Sequence, residues 1–172
     1  IDIGVVEHGV LKKSDTTIDH TGVGLVKMAP YRGCGTVREA VGAGFPSFPF
    51  SYRDDWYPLL AEKLLVNAVI NPLTAIYGVK NGVLAEDPKH IREMEQLFHE
   101  AISVLELDNE SQQWERLLHV CRNTSDNRSS MLRDIENSRP TEIDAISGFL
   151  LQQGKRKGKA LPFTASVYAK VK

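Results

Sequence analysis

Between Gly4 and about Pro30, apolar and largely β-branched positions alternate with polar ones (Val5, Val6; Thr17, Ile18; Leu25, Val26), and Gly9, Gly22 and Gly24 interrupt them. A period of two places successive side chains on opposite faces of a sheet, so this stretch predicts a short antiparallel meander of three strands. Residues 31 to 53 gather Gly33, Gly35, Gly42, Gly44, Pro46 and Pro49. That punctuation predicts a loop-rich connection with one helix near Val37 to Val41 and one strand near Phe48 to Tyr52.

Past Asp54 glycine and proline thin out and the apolar period lengthens to that of a helix. Trp56 to about Tyr77 reads as one long helix containing Pro72, and Pro88 suits the first turn of a helix that follows Asp87. In that second helix Ile91, Met94, Phe98, Ala101, Ile102 and Leu105 form an apolar stripe; Trp114, Leu117, Leu118 and Cys121 mark another. Further helices are predicted at about 128 to 137, 142 to 157 and 163 to 170. Strands followed by helices mean an α+β chain or two domains. We divide the chain after Arg53, into 1–53 and 54–172.

Composition narrows the function. A chain of 172 residues with 42% hydrophobic content can bury a real core. Lys plus Arg total 21 against 22 Asp plus Glu, so no global field holds a polyanion or an anionic membrane. The basic run at 154 to 159 falls where a helix should end, and cations are favoured there. Nucleic acid is therefore not an expected partner. Continuous apolar runs fall short of the roughly 20 residues of a membrane span, and no charged-then-apolar leader opens the chain. Cys34 and Cys121 are too few for a disulfide framework, which points to a reducing cytoplasm. No histidine pairs with carboxylates at ligand spacing, so no metal is expected; His8, in the strand region, is read as structural. Asn109, Asn123 and Asn127 fit the glycosylation triplet by chance. Because Ile1 opens in mid-strand, the chain is expected to be a piece of a longer product.

The long helix has an inverted pattern. From Lys63 to Asn71 every residue is apolar except Lys63, Asn67 and Asn71, which recur at four-residue steps and occupy one stripe about 80° wide. A helix apolar over most of its circumference is buried, and each stranded polar group then costs about 1–3 kcal/mol. The stripe therefore lines a cleft, or else Lys63 snorkels to solvent while the asparagines are satisfied by neighbouring backbone. Pro72 cannot donate to the Ala68 carbonyl and should push Asn71 out of helical geometry, kinking the helix.

The segment KLLVNAVINPLTAIYGVKNG, Lys63 to Gly82, resembles the signature of the ketopantoate reductase family. The resemblance implies NADPH-dependent reduction of 2-dehydropantoate to pantoate, for pantothenate and coenzyme A synthesis. It makes Lys63 the general acid that protonates the nascent hydroxyl, and Asn67, Asn71 and Asn81 substrate ligands. An ammonium both stabilises the charge that develops on the ketone oxygen and delivers a proton, while amides bind carboxylate and hydroxyl without a competing charge. Taken alone, Asn81-Gly82 reads as a tight turn needing positive φ.

A second segment, SSMLRDIENSRPTEIDAISGFLL from Ser129 to Leu151, breaks at Pro140 and restarts at Thr141. Thr141 with Asp144 resembles a capping box, which puts Glu142 at a first helical position where the macrodipole favours its ionised form. The family resemblance implies instead that Ser130 binds the substrate carboxylate, and that Glu142 hydrogen-bonds the substrate hydroxyl and orients Lys63. Ser129 and Asp134 are neighbours of lower rank.

A nicotinamide enzyme needs a glycine-rich turn between a strand and a helix to hold pyrophosphate. Gly33-Cys34-Gly35 and Gly42-Ala43-Gly44 come nearest, but neither completes the fingerprint. The opening strands resemble the end of the family's Rossmann-type nucleotide-binding domain, so the motif is expected upstream of Ile1. The resemblance further implies an all-helical C-terminal domain like that of 6-phosphogluconate dehydrogenase, a small 2-oxoacid substrate and an open oligomeric state that includes a homodimer. The rival from another class is a non-catalytic carboxylate-binding or dimerisation domain.

Overall fold

A computed structural model describes residues 1–22, 24–32 and 49–172. The helix expected near Val37 to Val41 and both glycine pairs of residues 33–44 lie outside the described residues. Two compact units emerge, Ile1–Lys63 and Leu64–Lys172.

In the first unit, β1 (Asp2–Val6) pairs antiparallel with β4 (Val26–Pro30), and β5 (Phe50–Tyr52) joins β4 in parallel. β2 (Gly9–Lys12) and β3 (Ile18–Gly22) form a separate antiparallel hairpin. The stretch from Gly4 to Pro30 therefore holds parts of four strands, not three, and the sheets are not purely antiparallel. The strand that escaped the pattern is β2; Thr17 and Ile18 had marked β3, and the exposed Val10 and Ile18 give the hairpin little apolar contrast to read. Its turn closes through Lys13 and Ser14, whose backbone N–H groups donate to the Thr17 carbonyl. The His8 and His20 rings meet at 2.9 Å, and the Gly24 N–H donates to His8 Nδ1 at 3.3 Å. Val5, Ala29 and Leu59 make a small core with Trp56 packed against it.

Helix α1 (Trp56–Tyr77) crosses the division between the units. It begins two residues after the expected change of character at Asp54. By length and composition it could span a membrane, but 67% of its most apolar window is buried within the protein, as in a core helix. Helical geometry continues through Asn71 and Pro72, so the expected departure at Asn71 does not occur. Buried packing of Leu65, Val69, Ile70 and Leu73 holds the helix where the lost hydrogen bond would weaken it.

The second unit is helical throughout. α2 (Asn81–Glu86) lies against α3 (Pro88–Leu105) and α4 (Glu110–Asn123). Asp87 caps α3 by accepting from the Lys89 N–H at 2.7 Å, with Pro88 at the first position as expected. α5 (Ser130–Glu136) is capped by Ser129. A single π-helical turn, Asp144–Gly148, leads into α6 (Phe149–Lys157), and α7 (Pro162–Val171) packs on α3 and on that turn. Met94, Phe98, Leu117, Cys121, Met131 and Leu150 fill the core.

The basic run does more than end its own helix. Lys157 Nζ donates to the Val104 carbonyl at 2.7 Å and pairs with Glu106 at 2.9 Å, and Lys159 donates to the Ser103 carbonyl. Both lysines thus satisfy the last carbonyls of α3, a helix distant in sequence.

Candidate active site

The stripe on α1 is graded. Lys63 is exposed, Asn67 is half-buried and Asn71 is buried at 7% exposure. None of the three side chains has a hydrogen-bond or ion-pair partner among the described residues. The exposure of Lys63 is what the snorkelling alternative expects, while no backbone partner of the two asparagine side chains is found among the described residues. Lys63 is exposed in this chain and follows buried Glu62 on α1.

Below Asn71, Thr74 is fully buried. Its hydroxyl lies 2.8 Å from the Ile70 carbonyl, 3.0 Å from the Asn71 carbonyl and 2.7 Å from the Ser129 hydroxyl. Ser129 also accepts from the Leu132 N–H at 3.1 Å. Ser129 is thus engaged as the N-cap of α5 and as a bridge to α1, and its neighbour Ser130 is the exposed hydroxyl.

Asn81 reaches the same connection from α2. Its backbone N–H donates to the Asn127 carbonyl at 3.0 Å, and Gly82 donates to the Ser125 carbonyl at 3.1 Å. The Asn81 amide nitrogen donates to Thr124 Oγ1 at 2.9 Å. Thr124 gives its own proton to the Val120 carbonyl at 2.7 Å, so only the nitrogen end of the amide can face it. That leaves Asn81 Oδ1 buried with no partner among the described residues. A buried acceptor in that state favours a ligand donor. The tight-turn reading of Asn81-Gly82 is corrected: both residues open α2, and the positive φ belongs to Gly78 at 65°. Gly82 is needed for close approach, since a Cβ there would lie 2.7 Å from Ser125 Cβ.

The structure therefore ties Asn71, Asn81 and Ser130 to one segment, Thr124 to Ser130, through Thr74, Thr124 and Ser129. Ser129 was expected only as a neighbour of Ser130, and Thr74 and Thr124 carried no signal of their own, because a buried Ser or Thr is visible only once its partners are placed.

Glu142 is exposed, and its carboxylate has no partner among the described residues. Thr141 Oγ1 accepts from the Ile143 N–H at 3.4 Å, a loose cap. Asp144 does not complete a capping box. Its carboxylate accepts instead from the Tyr168 hydroxyl at 2.5 Å and from Lys172 at 2.7 Å, because α7 brings stronger donors than the backbone offers. Lys172, then Tyr168, hold the Asp144 carboxyl below its usual range. Among the described residues no group of three or more His, Cys, Asp or Glu gathers as a metal site.

Comparison with known proteins places the chain in a family. Residues 55–172 match the family model "Ketopantoate reductase PanE/ApbA C terminal". A 2-dehydropantoate 2-reductase of Bacillus subtilis is 43% identical over 174 residues, covering 100% of this chain and 58% of its own length. The crystal structure of the probable 2-dehydropantoate 2-reductase panE from Bacillus subtilis superposes with a TM-score of 0.89 at 42% identity, over 99% of this chain and 59% of that one. A dimeric ketopantoate reductase from Staphylococcus aureus shares the fold at a TM-score of 0.82 and 20% identity, over 99% of this chain and 60% of that one. The chain spans a little over half the length of the curated relatives it matches. It belongs to the ketopantoate reductase family, and what it spans is that family's C-terminal region.

Proposed function

We propose that this chain supplies the proton donor and the substrate contacts of an NADPH-dependent 2-dehydropantoate 2-reductase. The observation that carries the reading is the stripe of Lys63, Asn67 and Asn71, side chains with no bonded partner among the described residues, on a stretch of α1 whose other residues from 63 to 71 are apolar, in a chain of the ketopantoate reductase family. Lys63 gives its proton to the oxygen of the substrate ketone as that oxygen gains charge. Asn67, Asn71, Asn81 and Ser130 hold the carboxylate and hydroxyl ends, with the Asn81 oxygen taking a donor. Glu142 accepts from the substrate hydroxyl and orients Lys63.

NADPH supplies the hydride when bound. The glycine pairs within residues 33–44 do not complete the pyrophosphate-binding fingerprint in sequence, and the chain spans a little over half of its relatives' length, so we assign NADPH binding to the part that it does not span. The Staphylococcus aureus relative's dimeric state supports a homodimer here as well. A cytoplasmic location fits a chain with two cysteines, too few for a disulfide framework.

Replacing Lys63 with Ala in a full-length protein carrying this chain tests the reading. A loss of turnover by several orders of magnitude with the fold intact is the expected result. Unchanged turnover favours a non-catalytic carboxylate-binding or dimerisation domain.

A further inference from the structure

Glu142 sits immediately before an unusual piece of backbone. Its carbonyl accepts from the Ile146 N–H at 3.1 Å, so the main chain of Glu142 is already tied into the turn that follows. That turn, Asp144–Gly148, is π-helical. A π turn packs one residue more per turn than an α-helix, is rarely stable by itself, and recurs at functional sites. Ser147, inside the turn, is fully buried and its hydroxyl has no partner among the described residues, so that side chain adds no bond to the turn. Support comes also from α7, which packs on it.

One side chain touches both of its ends. The Tyr168 hydroxyl donates to Asp144 at 2.5 Å, and the Tyr168 ring lies where a Cβ on Gly148 would meet Cε2 at 3.4 Å. Lys172 adds a second bond to the same exposed Asp144 carboxylate and also donates to the Tyr168 hydroxyl, so the two α7 residues grip Asp144 together; only Tyr168 also reaches Gly148. Tyr168 is itself fixed, because α7 is anchored at its far end by the carboxylate of Glu100 on α3.

We infer that Tyr168, acting through Asp144, is a positioning residue for Glu142, bracing the π turn so that the glutamate is presented in one place. The inference rests on the role proposed above for Glu142 and adds to it a brace from the last helix. Preorganisation of this kind affects the reacting geometry more than the fold, since misplacing a catalytic group by a fraction of an ångström costs rate before stability.

A double-mutant cycle in a full-length protein carrying this chain decides it. Tyr168→Phe keeps the ring against Gly148 and removes only the hydroxyl. It should lower kcat about tenfold with KM for NADPH unchanged, and should have no further effect when Glu142→Gln is already present. Asp144→Asn, which still offers an oxygen to Tyr168, should retain more activity than Asp144→Ala. An equal loss in both backgrounds, or none in either, overturns the brace. If Glu142→Gln alone leaves kcat unchanged, the role of Glu142 fails first and the brace fails with it.

Discussion

Glu100 on α3 closes the N-terminus of α7 at Thr164: one carboxylate oxygen accepts from the Thr164 N–H at 2.8 Å and from its hydroxyl at 2.7 Å, while the other accepts from the Phe163 N–H at 2.9 Å. Leu161, the residue in the N-cap position, offers no side-chain acceptor, so a residue about sixty positions away takes over that duty. Charge-assisted bonds to a helix N-terminus are among the stronger ones. Glu100→Ala should therefore destabilise the chain by about 2 kcal/mol, and Glu100→Gln by less, in urea unfolding. A change within experimental error for the alanine variant would mean that α7 is held by packing alone.

The helices were legible because burial imposed a period on them. Met94, Phe98, Ala101 and Ile102 recur at helical spacing, and all four are buried in α3. Pro88 and Asp87 mark its start by local chemistry alone. Asp144 was misread because its nearest sequence partner, Thr141, suggested a box, while its actual donors lie on α7. Lys157 and Lys159 were assigned to their own helix end for the same reason. Side-chain bonds between elements leave no periodic trace. The stripe of Lys63, Asn67 and Asn71 was visible as polar positions in an apolar run, but its grading from exposed to buried depends on packing that no spacing encodes.

Thr74 joins α1 to the start of α5 through the Ser129 hydroxyl, in a site closed to water. Thr74→Val keeps the shape and removes the hydroxyl, leaving Ser129 with only the Leu132 N–H. A cost of about 1–2 kcal/mol is expected from one lost buried bond and a buried group left under-satisfied. Amide exchange should report a matching loss of protection at Leu132, whose N–H depends on the placement of Ser129. Unaltered protection there would show that the two hydroxyls are not coupled.

Cys121 gives the stability of the chain a pH dependence of known sign. Burial pushes its thiol up from 9.0 to about 12. The unfolded chain therefore releases this proton first. The contribution is intact below about pH 9 and is lost as pH rises toward 12, at up to about 1.4 kcal/mol per pH unit. Cys121→Ala removes the group and should flatten that part of the curve. Unfolding free energies at several pH values between 8 and 11 would show it; parallel curves for the two proteins would rule out the thiol as the source.

Gly82 tests close approach against helix propensity. Alanine favours helix over glycine by about 1 kcal/mol, and Gly82 lies inside α2 with no unusual φ, so propensity alone predicts a gain from Gly82→Ala. Sterics predict the reverse. The added Cβ would lie 2.7 Å from Ser125 Cβ and 3.0 Å from Ser125 Cα, and the second of these is backbone that cannot swing away. Relief requires α2 to move off the Thr124–Asn127 connection, breaking the bonds that Asn81 and Gly82 make to Asn127 and Ser125. A net loss of about 1–3 kcal/mol is expected. Ser125→Gly in the same chain removes the nearer contact but not the Cα, so it should restore part of the loss and not all of it. Thermal unfolding of the two single variants and the double variant separates the effects, and a more stable Gly82→Ala protein would show that the connection yields where the contact distances say it should not.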